Sequence, residues 1–186
     1  MKENQTMNNA NADASRRHLI WGAGAAAAVA GVGLALWRFE PEPVAQVASH
    51  PLWAQQFEAP TGQALAMAQF KGKPLLLNFW ATWCPPCIEE LPMINAFWRE
   101  NNPNGHQVVA LAIDQPSAVR RFLERQPLAF PVGLAGLEGT SLAKSLGNAA
   151  GGLPFTVFFK EDGSIWRQKM GQLTDQDLSQ WRSAAV

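Results

Sequence analysis

The chain is 186 residues long and 47% hydrophobic, enough for one compact domain with a sizeable core plus an additional segment. Its 15 basic and 15 acidic residues cancel, and no basic stripe runs along it, so the electrostatic footprint of a nucleic-acid binder is missing. No nucleic-acid partner is expected.

Residues Met1 to Ala14 are polar and rich in Asn, without apolar periodicity that could bury a face, and residues 1–18 are expected to form a disordered cytoplasmic N-terminus. Arg16, Arg17 and His18 then precede an uncharged, Ala- and Gly-rich stretch from Leu19 to Trp37, close to the length that spans a bilayer as a helix. Ser15-Arg16-Arg17-His18-Leu19-Ile20 is also similar to a twin-arginine export signal. Residues 19–38 are therefore expected to be a signal-anchor or twin-arginine-like segment, with membrane contact through residues 19–37. Arginines before the stretch and Arg38 alone just after it place the N-terminus inside the cytoplasm and the remainder outside. Gln46 spoils the small-residue pattern that cleavage would need around Val44 to Ser49, so an uncleaved anchor is expected. Pro41-Glu42-Pro43 stiffens a linker over residues 39–49, and the folded domain takes residues 50–186.

Within that domain, Trp53 to Phe57 and Ala64-Leu65, separated by Pro60-Thr61-Gly62-Gln63, read as a short edge hairpin followed by a helical turn from Ala66 to Phe70. Leu75 to Trp80 is a continuous apolar run of strand length, the mark of a central strand buried on both faces. A helix from about Pro86 towards Glu100 carries Ile88, Leu91, Ile94 and Trp98 at helical spacing, with a kink expected at Pro92. Val108 to Ile113 is a second buried strand, and Ser117 is a candidate N-cap for a helix bearing Val119, Phe122 and Leu123. Phe130-Pro131-Val132 reads as a short strand, and Glu138 to Leu146 as an amphipathic helix ended by Gly147. A strand from Leu153 to Phe159 turns through Glu161-Asp162-Gly163-Ser164 into another at Ile165 to Met170, and Asp175 to Ser183 closes the chain as a helix. This alternation predicts an α/β fold with parallel first strands, an antiparallel edge pair and ligand chemistry at the strand C-terminal ends.

Beyond the C-terminal end of the Leu75 to Trp80 strand lies Trp83-Cys84-Pro85-Pro86-Cys87, which holds both cysteines of the protein. The two-residue spacer lets both sulfurs lie at one helix N-terminus, able to close a small disulfide or open as a dithiol. As a structural staple so short a loop would remove little chain entropy, and redox exchange is the better account. Two thiolates also suit a soft ion such as Cu(I), so a copper-delivery module stands as an alternative, as does an adaptor with an inert disulfide. Zinc wants four ligands, and His50 and His106 have no ligand spacing to the pair, so neither a metal nor a cofactor is expected.

With this stretch between a buried strand and a helix, and Pro154 opening a later strand, the domain resembles the thioredoxin fold, a central mixed sheet flanked by helices, here with an N-terminal hydrophobic anchor helix. More narrowly, Leu77-Asn78-Phe79-Trp80-Ala81-Thr82-Trp83-Cys84-Pro85-Pro86-Cys87 is similar to the TlpA/ResA group of membrane-anchored extracytoplasmic thiol-disulfide oxidoreductases. The resemblance implies a periplasmic domain held at the inner membrane of a bacterial envelope. It makes Cys84 the exposed nucleophile and Cys87 the resolving thiol of a redox-active disulfide, and it matches Leu153-Pro154 to a cis-proline segment whose preceding backbone pairs with an extended substrate. It likens Glu90 to an acidic residue near the dithiol, while Asn78 stands where classical thioredoxins carry a buried Asp, which leaves acid/base work to Glu90 or water. The partners implied are proteins with disulfides and a membrane thiol-disulfide electron donor.

The helix dipole favours a thiolate at Cys84, yet Pro85 and Pro86 have no N–H to donate to it, so the thiolate is only moderately stabilised. A less stabilised dithiol is a better reductant, and a reductase of protein disulfides is expected, with an oxidase or isomerase as the alternative. Trp83, Leu153 and Pro154 are the candidate substrate contacts, and Trp80, Trp83 and Phe155 either cover the sulfurs or belong to the ordinary core. Cytochrome c maturation, a copper-site chaperone or a general disulfide pool all fit as the pathway.

Overall fold

A computed structural model describes residues 50–184. The N-terminus, anchor and linker expected over residues 1–49 lie outside the described residues, among which no helix is long and apolar enough to cross a membrane. A seven-stranded sheet is built from β1 (Gln56–Glu58), β2 (Ala64–Ala66), β3 (Leu75–Trp80), β4 (Gln107–Ala112), β5 (Val132–Leu134), β6 (Phe155–Phe159) and β7 (Ile165–Met170), in the spatial order β2-β1-β5-β4-β3-β6-β7. β3, β4 and β5 are parallel, while β6 runs antiparallel to β3 and pairs with β7 as a hairpin. Gly163, at φ +82°, supplies the left-handed residue of that hairpin turn. Among the described residues the α-helices are α1 (Pro85–Asn101), α2 (Pro116–Arg125), α3 (Glu138–Ser145) and α4 (Asp175–Ala184).

All six residues of β3 are buried, because helices cover both faces of the sheet. Side chains alternate along the strand, so Leu76 and Trp80 join a core with Leu91 and Ile94 of α1, Phe122 of α2 and Trp181 of α4. Leu75, Leu77 and Phe79 point the other way, to a second core with Leu142 of α3 and Trp53. Asn78 shares its face with Leu76 and Trp80, which aims a fully buried amide at α1. Each large apolar side chain fully buried in these layers contributes on the order of 1.5–3 kcal/mol.

Several boundaries differ from the sequence reading. Pro51 starts a 3-10 turn through Ala54, so Trp53 precedes the hairpin and the strand begins at Gln56. Pro116 takes the first position of α2 after Gln115, which puts Ser117 inside the first turn instead of at the cap. Pro131 has no N–H for the ladder, although its carbonyl accepts from Ala110 at 3.0 Å, and β5 starts one residue later than Pro131. Leu153 and Pro154 stay outside β6, and α1 continues through Pro92 without interruption.

Candidate active site

Cys84 is the N-cap of α1, and it forms a disulfide with Cys87 across a Cα–Cα distance of 5.3 Å. The loop that delivers it from β3 is tied down from the neighbouring strand. Asp114, just past the C-terminal end of β4, accepts hydrogen bonds from the Thr82 N–H at 2.8 Å and the Thr82 hydroxyl at 2.6 Å through Oδ2. Its other oxygen accepts from the Gln115 N–H at 2.6 Å. Cys84 N–H closes the turn onto the Ala81 carbonyl at 3.2 Å. The two sulfurs are unequally placed: Cys84 retains 4% exposure and Cys87 has none. The nucleophile expected to be exposed is therefore nearly covered in the disulfide, with Trp80 in the same buried cluster. Phe155 belongs to the opposite core and does not cover the sulfurs.

Glu90, one turn after Cys87, is 1% exposed and points into the sheet instead of solvent. Its Oε1 accepts from Asn78 Nδ2 at 2.7 Å and its Oε2 from the Leu173 N–H at 2.7 Å. Burial pushes this carboxyl up to about 7, against the pull of those two donors towards its ionised form. The register of β3 with β6 sets Asn78 opposite Thr156, whose hydroxyl oxygen takes the second amide hydrogen at 3.0 Å. Asn78 Oδ1 is buried and has no partner among the described residues. Thr156 and Leu173 were not singled out from the sequence. A polar residue inside the Phe155 to Phe159 run was the available signal for Thr156, whereas a backbone donor such as Leu173 leaves none.

Trp83 is 66% exposed and borders a cleft of ≈ 470 Å³ that also includes Leu153, Ile113, Pro116 and the 84% exposed Leu137. The Leu153–Pro154 peptide bond is cis. Leu153 makes no backbone–backbone hydrogen bond among the described residues and lines the same cleft. Two of the three candidate substrate contacts, Trp83 and Leu153, thus share one surface, while Pro154 is buried behind it. Leu137 comes from the β5–α3 connection, and nothing in its local sequence marked it. Asp114 was also missed, although a carboxylate directly after a buried strand is where ligand chemistry gathers in such sheets.

A disulfide closed at the N-terminus of a helix that follows a central parallel strand, in a mixed sheet with helices on both faces, defines a thioredoxin-fold thiol-disulfide oxidoreductase. The chain belongs to the Redoxin family, whose profile matches residues 50–184. It is 31% identical over 121 residues to the thiol-disulfide oxidoreductase ResA of Bacillus thuringiensis, a match covering 64% of this chain and 68% of the relative. The fold superposes on a putative thiol:disulfide interchange protein DsbE from Chlorobium tepidum with a TM-score of 0.62 and 25% identity, over 70% of this chain and 92% of that one. StoA from Bacillus subtilis gives a TM-score of 0.57 at 25% identity, over 69% and 95% of the two chains.

Proposed function

We propose that this protein reduces disulfides of other proteins outside the cytoplasm, with Cys84 as the attacking thiolate and Cys87 as the resolving thiol. The observation that carries the reading is the asymmetry of the pair: only Cys84 keeps any surface, and it does so in the loop that also presents Trp83 beside Leu153. Attack by the Cys84 thiolate on a substrate disulfide forms a Cys84–substrate bond and expels one substrate thiolate. Cys87, deprotonated, then attacks the Cys84 sulfur and expels the second thiolate. Two electrons pass from the dithiol to the substrate, and the two thiol protons end on the two released sulfurs. Glu90 takes the Cys87 proton, because its carboxyl titrates near 7 and sits one turn away on the same helix.

The start of α1 supports the reducing direction. Pro85 and Pro86 leave the first turn short of N–H donors, so the Cys84 thiolate is held less firmly than in a strong oxidant. An extended substrate strand pairs with the backbone of Leu153 and lays its side chains against Trp83 and Leu137. Residues 19–38 anchor the chain and residues 39–49 link it to the exported domain, a reading supported by the Arg16-Arg17 pair before an uncharged stretch. An exported dithiol that ends each cycle oxidised needs an electron source, here a membrane thiol-disulfide protein.

Two measurements test this. Cys87→Ser in the reduced protein should accumulate a mixed disulfide on Cys84, and trapping that needs Cys87 instead would reverse the roles. The reduction potential should lie towards that of thioredoxin, about −270 mV, and a value at about −120 mV would make the protein an oxidant.

A further inference from the structure

A second cleft, of ≈ 500 Å³, opens beside the same loop: Thr82 borders it, as Trp83 borders the cleft that holds Leu153. Its other walls include Ile88, directly after Cys87, and the α2 face that presents Arg121, Phe122 and Arg125. The floor is apolar, since Phe122 is buried and Ile88 packs on the same core. The rim is cationic. Arg121 and Arg125 are both exposed, one turn apart, and neither has a carboxylate within salt-bridge distance among the described residues.

Like charges at this spacing repel and weaken a helix. Arg125 has a local reason to be there, at the C-terminal end of α2, where a cation complements the dipole and its Nε donates to the Arg121 carbonyl at 3.3 Å. Arg121 has none. Arg120, one position earlier, is neutralised by Glu58 at 2.8 Å, so this helix does pair a guanidinium on its other side. Glu124, the carboxylate of α2, does not line the cleft, and the nearby Asp114 has both oxygens engaged by Thr82 and Gln115.

We infer that this cleft receives acidic residues of the partner polypeptide, close in sequence to the cysteine that Cys84 attacks, so that disulfide substrates are sorted by charge. The inference rests on the reductase reading above and deepens it. An apolar floor under a guanidinium rim suits a chain that lays aliphatic carbon against Phe122 and Ile88 while its carboxylates reach the arginines. Because the rim is exposed, the effect falls on the rate of association and is screened by salt.

The test reacts the reduced full-length protein with two disulfide-linked model peptides that differ only in carrying Glu or Lys on both sides of the cysteine. At low ionic strength the Glu peptide should react about tenfold faster, and the advantage should shrink towards equality in about 0.5 M NaCl. The Arg121→Glu/Arg125→Glu protein should prefer the Lys peptide. Arg121→Gln/Arg125→Gln, with uncharged side chains of good helix propensity, should bring the ratio to about one. The ratio is read within each sample, so partial loss of folded material cancels. Equal rates in the parent protein, or a Glu preference that survives in either double variant, overturn the inference. A parent protein that reduces neither peptide refutes the reductase reading, and the charge sorting with it.

Discussion

At Glu90 the loss of hydration outweighs two short hydrogen bonds, so a carboxyl that accepts from Asn78 and Leu173 still titrates near 7. It is then present in both protonation states at neutral pH, as a proton carrier for Cys87 needs. Glu90→Gln should slow resolution of a Cys84 mixed disulfide by about a hundredfold and erase the inflection near neutrality, leaving the attack by Cys84 little changed. Single-turnover kinetics on each step across the pH range will tell, and an unaltered profile would take Glu90 out of the proton path. Asn78→Asp makes the complementary change. It sets a second carboxyl 2.7 Å from Oε1, where two negative charges cannot coexist, so the pair should share a proton and titrate in two widely separated steps by carboxyl-detected NMR. The sequence identified both positions but not their joint burial. A carboxylate on a helix is usually solvated, and only the tertiary packing of α1 on β3 reveals that this one is not.

The elements carrying these residues are held by local polar devices that differ in how legible they are. Thr174 and Asp177 form a reciprocal cap on α4: the Thr174 hydroxyl donates to Asp177 Oδ2 at 2.8 Å and accepts from the Asp177 N–H at 3.3 Å. Arg167 and Lys169 of β7 both reach Asp177, at 3.2 and 3.1 Å, which fixes the turn that aims the Leu173 N–H at Glu90. Thr174→Ala should cost about 1 kcal/mol in urea unfolding and weaken protection of the Leu173 amide against hydrogen exchange. Asp114→Ala should free the Thr82 N–H and hydroxyl together, costing about 1–3 kcal/mol, with faster amide exchange confined to the loop before Cys84. β3, β4 and the β6–β7 hairpin were legible because continuous apolar runs and an Asp-Gly turn specify them locally. β5 and the start of α2 were misplaced by two residues because Pro131 and Pro116 decide which backbone groups can pair, a constraint that apolar patterning does not register. The Asp114 clasp joins residues 32 apart in sequence, and no local pattern encodes it.

For the molecule as a whole, two buried titrating groups on one sheet face act on stability in opposite directions. Glu90 has its folded pKa raised from 4.5 to about 7, so its folded form is favoured fully below 4.5, and that advantage disappears as pH rises through 7. By pKa alone the difference is about 3 kcal/mol for a carboxyl this buried. His106 works the other way. Its ring is enclosed edge-on by Phe97 and Trp181, with centroids 6.2 and 5.2 Å away, and both nitrogens are buried. Burial lowers its pKa from 6.5, so the neutral ring carries no penalty above that value and stability is lost as pH falls below it. Below about 6.5 the His106 slope opposes that of Glu90 and offsets part of it, which flattens the stability profile of the parent protein there. Each substitution should expose the other group. In Glu90→Gln the urea midpoint should rise with pH up to about 6.5, from His106 alone. In His106→Phe it should fall with pH from about 4.5 to 7, from Glu90 alone, and the double variant should be level again across that window. Denaturant unfolding of the oxidised protein at several pH values measures all four, and two single variants with parallel slopes would show that neither group is linked to folding in this way.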